Sequence, residues 1–232
     1  MERSLRGMIV ALVRAAFPVG CAACGAPFEV EAWPLCAACD GALAEVGEPF
    51  CMDCARAGGE PRRCLRRDHV RLAAAFTFDE GVRAVLHAFK FGDAPELAGP
   101  LVERAFEAYE HVPRHDLVAP VPLHPVRRRE RGYDQAALLA REVARRTNAP
   151  VVSLLERTRA TKQQAKLGAR PRLENMRAAF RVREEGLVRG RAVALVDDVA
   201  TTGATLRAAA DVLLAAGARR VDAFTIAFEP LE

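Results

Sequence analysis

The stretch that most constrains the fold is Val193–Thr205, which reads Val-Ala-Leu-Val-Asp-Asp-Val-Ala-Thr-Thr-Gly-Ala-Thr. Arg191–Val196 has the unbroken apolar character of a strand buried on both faces. Two acids, Asp197 and Asp198, end it. A loop of small residues with Thr201, Thr202 and Thr205 follows, and Thr205–Ala216 reads as a helix closed by Gly217. A loop between a strand and a helix start presents free backbone N–H groups and the positive end of the helix dipole, a setting that favours an anion. Paired carboxylates at the strand end can accept hydrogen bonds from two vicinal hydroxyls. A 5-phosphorylated ribose needs both features at this separation. Asp197 and Asp198 are therefore the candidate catalytic pair. Val196, Ala200, Thr201, Thr202, Gly203, Ala204 and Thr205 are the candidate ligand-binding residues around them. Asp-Asp after a strand also occurs in metal and phosphoacceptor sites, and Thr-Thr-Gly is a common turn. The ordered combination carries the reading.

The remainder of the chain after residue 68 alternates strands and helices in the α/β manner. Strands are expected at Arg71–Phe78, Asp116–Val121, Pro150–Leu154, Asn175–Val182 and Arg219–Phe228. Helices are expected at Gly81–Phe91, Pro95–Tyr109 and Asp134–Thr147. Arg157–Arg172 has no apolar period and many charges, so it reads as a long mobile loop. Before residue 68 the chain is cysteine-rich and short of periodic apolar pattern. The expected division is thus 1–68, an N-terminal helix (Ser4 to Phe17) and metal module, and 69–232, the α/β domain.

Six of the 7 cysteines form three C-x-x-C pairs, at 21/24, 36/39 and 51/54, and Cys64 is the last. A disulfide framework does not usually leave a large domain bare, so metal ligation in a reducing compartment explains the clustering better. Cys21, Cys24, Cys36 and Cys39 supply four thiolates on two tight turns, the zinc-ribbon pattern of a closed structural site. The competing reading, redox-active dithiols, expects the motif after a strand in a βαβ unit, which is not its setting here. A second set would be Cys51, Cys54 and Cys64, with His69 as fourth ligand. A matching C-x-x-C would place a cysteine where Pro61 stands, so a degenerate, metal-free second site is an equal alternative.

The net charge of +4 does not by itself indicate nucleic-acid binding. The best apolar run, Met8 to Phe17, is about half of the ~20 residues a membrane span needs and contains Arg14. A cytoplasmic protein, peripheral to a membrane at most, is expected.

The 193–205 stretch resembles the signature of type I phosphoribosyltransferases, and motifs in order along the chain resemble the ComF (competence) family. They are Phe17-Pro18 before Cys21-Ala-Ala-Cys24-Gly25, Phe89-Lys90-Phe91-Gly92-Asp93, Val118-Ala119-Pro120-Val121-Pro122-Leu123-His124, Arg131-Gly132-Tyr133-Asp134-Gln135, Gln164 with Leu167, and Arg172 with Asn175. The resemblance implies a type I phosphoribosyltransferase-like domain with a central, mainly parallel sheet after a small zinc-ribbon module. It implies phosphoribosyl pyrophosphate with Mg²⁺ as ligand. It maps pyrophosphate contacts onto the loop Pro122–Gly132, with Arg127, Arg128, Arg129 and Arg131, and a closing loop onto Arg157–Asn175, with Gln164 and Arg172. Lys90 is a further substrate-facing candidate. The family usually has asparagine where this chain has Asp134, a change that removes a donor and adds negative charge.

Two functions of different class follow from the resemblance. One is a role in natural competence, handling single-stranded DNA beside a helicase; the low aromatic content, 6%, offers no obvious stacking platform for it. The other is a phosphoribosyltransferase of nucleotide or amine metabolism with no DNA role. A third reading makes the zinc module an interaction surface only.

Overall fold

The computed structural model describes residues 20–27, 34–52, 54, 69–123, 125–158 and 179–229. The expected helix Ser4 to Phe17, and Pro61, Cys64, Gln164 and Arg172, lie outside these residues.

Four parallel strands form the centre. They are β2 (Arg71–Thr77), β3 (Leu117–Pro120), β6 (Ala192–Ala200) and β7 (Arg220–Phe228), in the spatial order β2-β7-β6-β3. Both faces are covered, so the strands read as apolar runs rather than alternating ones. Alternate residues still separate two cores. Ala73, Val118, Ala194 and Val196 face one layer, while Leu72, Leu117, Val193 and Leu195 face the other.

The first layer holds α2 (Glu80–Phe91), α3 (Ala98–Glu110) and α5 (Gln135–Thr147). α2 buries Val82, Val85, Leu86 and Phe89, a stripe at helical spacing, and Asp79 caps it by accepting from the Val82 N–H at 2.8 Å. The second layer holds α7 (Ala204–Ala215), α6 (Glu185–Val188) and the antiparallel pair β4 (Leu155–Arg157) and β5 (Phe180–Val182). β3 is followed by α5 on one face, and its neighbour β6 is followed by α7 on the other. In open α/β sheets the crevice for a ligand opens between the carboxyl ends of such a pair.

The cysteine-rich segment is joined to this sheet. β1 (Phe50–Cys51) adds an antiparallel edge strand to β2, with Phe50 opposite Leu72. Arg104 of α3 donates from Nε to Asp40 of α1 (Ala37–Gly41) at 3.1 Å, and its guanidinium stands 5.2 Å from the Phe76 ring centre. Cys21, Leu35 and Leu43 are buried in the first core.

Several elements differ from the sequence reading. Pro150–Leu154 was expected as a strand, but Pro150 has no N–H to give. Val151 makes only an isolated bridge to Val118, and pairing begins at Leu155, opposite Val182. Arg157, expected at the start of a loop, is the last residue of β4. The stretch Pro122–Gly132, expected as a loop, contains the short helix α4 (Pro125–Arg131), consistent with proline at a first helical position followed by arginines. β6 continues past Val196 to Ala200 because Val199 and Ala200 keep partners in Ala227 and Phe228. The helix expected over Pro95–Tyr109 begins as a 3₁₀ turn, Pro95–Leu97, before α3. Among the described residues no helix is long and apolar enough to cross a membrane.

At the opposite end of the sheet from that crevice, Asp222 is buried in β7. It receives His115 Nε2 at 2.9 Å and Arg220 Nε at 2.8 Å, and Tyr109 Oη lies 3.2 Å from His115 Nδ1. Burial, helped by the Asp222 charge, pushes the Tyr109 phenol up to about 12. A buried ion pair stripped of one partner loses about 3 kcal/mol or more, because the charge left behind has no compensation. Asp222→Ala is therefore expected to lower the free energy of urea unfolding by about that amount, while Arg181→Ala, at the exposed pair with Glu156, serves as the surface ion-pair control. An unchanged midpoint for Asp222→Ala would contradict the account of this network.

Candidate functional site

β6 delivers Asp197 and Asp198 to the crevice at its carboxyl end. Asp198 is buried and Asp197 half-buried. The Asp198 N–H donates to Asp197 Oδ1 at 2.9 Å, which fixes the Asp197 carboxylate against its own backbone. Lys90, at the end of α2, places Nζ 3.0 Å from Asp198 Oδ2. Burial raises the Asp197 carboxyl first and the neighbouring Asp198 charge raises it further, to about 8. The Asp198 N–H and Lys90 pull it down, and Asp134 pushes it up.

The loop that follows turns at Gly203, which has φ +66° and precedes α7 with no side-chain cap on the helix. Thr201 and Thr202 are exposed, and Thr202 Oγ1 accepts from the Ala204 N–H at 3.4 Å. A β-carbon at Gly203 would stand 2.3 Å from Met52 Cε. That methyl is the end of a flexible side chain and can move, so the left-handed backbone is the stronger reason for glycine here. The Met52 contact also brings the segment after β1 against the Thr201–Thr205 loop.

The motif Arg131–Gln135 forms the wall opposite. Gly132 turns at φ +77°, and Tyr133 Oη donates to the Phe89 carbonyl of α2. Asp134 caps α5 by accepting from the Ala137 N–H at 3.1 Å. The aspartate therefore has a local structural role that an asparagine oxygen would also fill; what the acid adds is charge facing Asp197. Gln135 is buried, and its Oε1 accepts from Arg131 Nη1 at 3.1 Å. Its Nε2 has no hydrogen-bond partner among the described residues. Arg127, Arg128 and Arg129 are exposed on α4, a solvated basic face.

Arg157 is the residue that sequence reasoning missed. Burial pushes its guanidinium down from the usual arginine value, the Asp197 carboxylate holds it up, and Arg127 pushes it down. It thus lies within electrostatic reach of both. Its ring partner is Phe180, 5.4 Å away. No motif marked it, because its position depends on the pairing of β4 with β5. The structure therefore gathers Lys90, Asp134, Arg157, Asp197 and Asp198 around one crevice, with the Thr201–Thr205 loop at its edge.

The metal-type centre is separate. The sulfurs of Cys21, Cys24, Cys36 and Cys39 lie within 4.8 Å of one another, and Cys24 and Cys36 are 3.9 Å apart. Four Zn–S bonds of about 2.3 Å set tetrahedrally put sulfurs about 3.8 Å apart, so the set fits zinc. The first knuckle turns at Gly25, whose N–H donates to the Cys21 carbonyl at 2.8 Å, and the Cys36 N–H donates to Cys21 Sγ at 3.4 Å. Burial would raise Cys21, but the backbone N–H groups of Cys24, Cys36 and Ala23 outweigh it and hold it at about 6. Hydrogen bonds with Cys24, Cys36 and Cys21 push Cys39 up to about 12. Four crowded thiols cannot all ionise without a cation to share. Cys51, Cys54 and His69 form no second cluster among the described residues, and His69 Nε2 instead accepts from Arg71 Nε at 3.1 Å.

Two outcomes follow. Cys36→Ser/Cys39→Ser is expected to release about one zinc per chain, read by a metallochromic dye; unchanged zinc content would contradict the site. Asp197 has a folded value above its unfolded one, so its ionisation opposes folding, and the stability it contributes is lost as pH rises from about 4 to about 8. Asp197→Asn is expected to raise the melting temperature more at about pH 8.5 than at about pH 5. An equal gain at both would contradict the raised carboxyl.

Comparison with known proteins gives two domain matches. The phosphoribosyl transferase domain family matches residues 134–230, and the double zinc ribbon domain family matches residues 12–66. The DNA utilization protein YhgH of Escherichia coli O157:H7 is 31% identical over 219 residues, covering 89% of this chain and 95% of that protein. Competence protein ComFC of Bacillus subtilis (strain 168) is 30% identical over 182 residues, covering 76% of this chain and 71% of that protein. Among solved structures, the glutamine phosphoribosylpyrophosphate amidotransferase from B. subtilis, complexed with ADP and GMP, is 22% identical with a TM-score of 0.39. That match covers 69% of this chain and 29% of that enzyme.

Proposed function

Because the chain belongs to the ComF family, we propose that it is a phosphoribosyl-pyrophosphate-binding protein of DNA uptake, acting in the cytoplasm on incoming single strands. The single observation that carries the ligand is the crevice at the end of β6, where Asp197 and Asp198 stand beside the Thr201–Thr205 loop and Lys90 reaches Asp198 at 3.0 Å. Residues 1–68 serve as the metal module and 69–232 as the ligand-binding domain.

In this reading the backbone N–H groups of the loop and the start of α7 hold the 5-phosphate, with Thr201, Thr202 and Thr205 adding hydroxyl donors. Asp197 and Asp198 accept the two ribose hydroxyls. Lys90, which balances Asp198, turns toward the pyrophosphate when hydroxyls take its place. Arg127, Arg128, Arg129 and Arg131 contribute positive charge on the pyrophosphate side, and Arg157 adds a guanidinium within electrostatic reach of Asp197. Gln164 and Arg172 belong to the segment assigned to closure over the ligand. Asp197 and Asp198 would suit a hard divalent ion, and Mg²⁺ held there would supply neutralisation of the pyrophosphate charge. Where an acceptor is bound, turnover is displacement of pyrophosphate at the anomeric carbon, with water excluded.

The relatives named for competence and DNA utilization support the DNA role. A transferase of nucleotide or amine metabolism would use the same crevice and would differ in taking a free acceptor.

Calorimetric titration of phosphoribosyl pyrophosphate into zinc-replete protein is expected to give Mg²⁺-dependent binding, weakened about tenfold or more in Asp197→Asn/Asp198→Asn, since each lost charged hydrogen bond is worth about 1.5–3 kcal/mol. No binding to the folded wild type would overturn the ligand assignment.

A further inference from the structure

We propose that Phe91, with His87 and Arg131 beside it, is a stacking platform for one base of a single-stranded nucleic acid at the rim of the Asp197–Asp198 crevice. The proposal deepens the DNA-handling part of the proposed function and rests on it.

Phe91 is 62% exposed, against 44% for Val126 and Leu187, the other exposed large apolar side chains among the described residues. A lone exposed phenylalanine needs no explanation. Its surroundings do. The Arg131 guanidinium lies over the ring, 5.2 Å from its centre, while Arg131 Nη1 is engaged by Gln135 Oε1 at 3.1 Å. The arginine is thus held in place rather than sweeping through solvent. One helical turn back, the His87 ring stands 5.0 Å away at 46°. The backbone that carries the ring is held too. The preceding residue, Lys90, is tied to Asp198 at 3.0 Å, and Phe89 before it is fully buried. An open aromatic face is therefore anchored one residue from the crevice.

The occupant follows from chemistry and magnitude. A flat ring beside a fixed guanidinium suits a nucleobase, whose face stacks on the phenyl while the cation attracts the attached phosphate. One base stack is worth about 1–3 kcal/mol, which leaves a free base bound no tighter than several millimolar on an open surface. A strand has a second source of affinity, because its phosphates meet the exposed Arg127, Arg128 and Arg129 on α4, the helix that ends in Arg131. The charge complementarity favours a base carried on a phosphodiester chain over a free one. The low overall aromatic content does not weigh against this, since a single ring in the right place suffices.

The test measures fluorescence anisotropy of two labelled oligomers of about 15 residues on the full zinc-replete chain, one of thymidylate and one of abasic sugar-phosphate. Wild type is expected to bind the thymidylate more tightly. Phe91→Ala should weaken it about fivefold or more and leave the abasic oligomer unaffected, while Phe91→Trp should retain it with indole emission quenched by the strand. Arg127→Gln/Arg128→Gln/Arg129→Gln should weaken both oligomers alike. If Phe91→Ala binds thymidylate within about twofold of wild type while the arginine variant is weakened, strand binding stands and the platform is wrong. If Phe91→Ala weakens both oligomers equally, the role of Phe91 is structural and the platform is wrong. If wild type binds neither oligomer, the DNA reading and the platform fall together. Saturable binding of free thymidine below about 1 mM would assign the ring to a free base and overturn the strand.

Discussion

Two carboxylates on consecutive residues at the end of a buried strand repel each other, and the chain spends several elements containing that repulsion. Asp197 is held in place, because β6 pairs it with Thr225 of β7 and its own Oδ1 is bound to the next N–H. Lys90 arrives from α2, and Arg157 comes within reach from β4. Burial raises the Asp197 carboxyl most, the Asp198 charge raises it further and Asp134 adds a third acid from the cap of α5, so that it stands at about 8. A carboxyl perturbed by burial and a neighbouring charge at the mouth of a sheet crevice is the kind of group that functional sites carry.

The same geometry places what surrounds the pair. β3 and β6 are neighbours whose following helices lie on opposite faces, so the crevice opens where Asp197 and Asp198 emerge. α2 brings Lys90 and Phe91 together because Phe89 is buried beneath them and Tyr133 is bonded to the Phe89 carbonyl. The cysteine module joins through β1 and the Arg104–Asp40 pair, and Met52 reaches the Gly203 turn. The metal-type centre and the Asp197–Asp198 crevice are thus parts of one packed structure on the described residues.

Much of this was legible in the sequence. The buried strand, the two acids and the glycine turn share one short segment, and local pattern carries local geometry. The four cysteines were legible because paired C-x-x-C turns fix their own sulfurs. Lys90 was visible only through its motif, since nothing local says that α2 ends at β6. Arg157 was not visible at all, because its place depends on Leu155–Arg157 finding Phe180–Val182 rather than the sheet. The helix in the arginine-rich stretch was lost to an assumption that a loop follows the strand. The exposed ring of Phe91 beside Arg131 was not anticipated, because composition counts aromatics and does not locate them.

Hydrogen exchange of the folded, zinc-replete chain, with and without Mg²⁺ and phosphoribosyl pyrophosphate, tests the central claim most directly. The account predicts slowed exchange strongest in the backbone of Ala200–Thr205, where N–H groups meet the ligand. Unchanged exchange there, or protection appearing only around the cysteine turns, would contradict it.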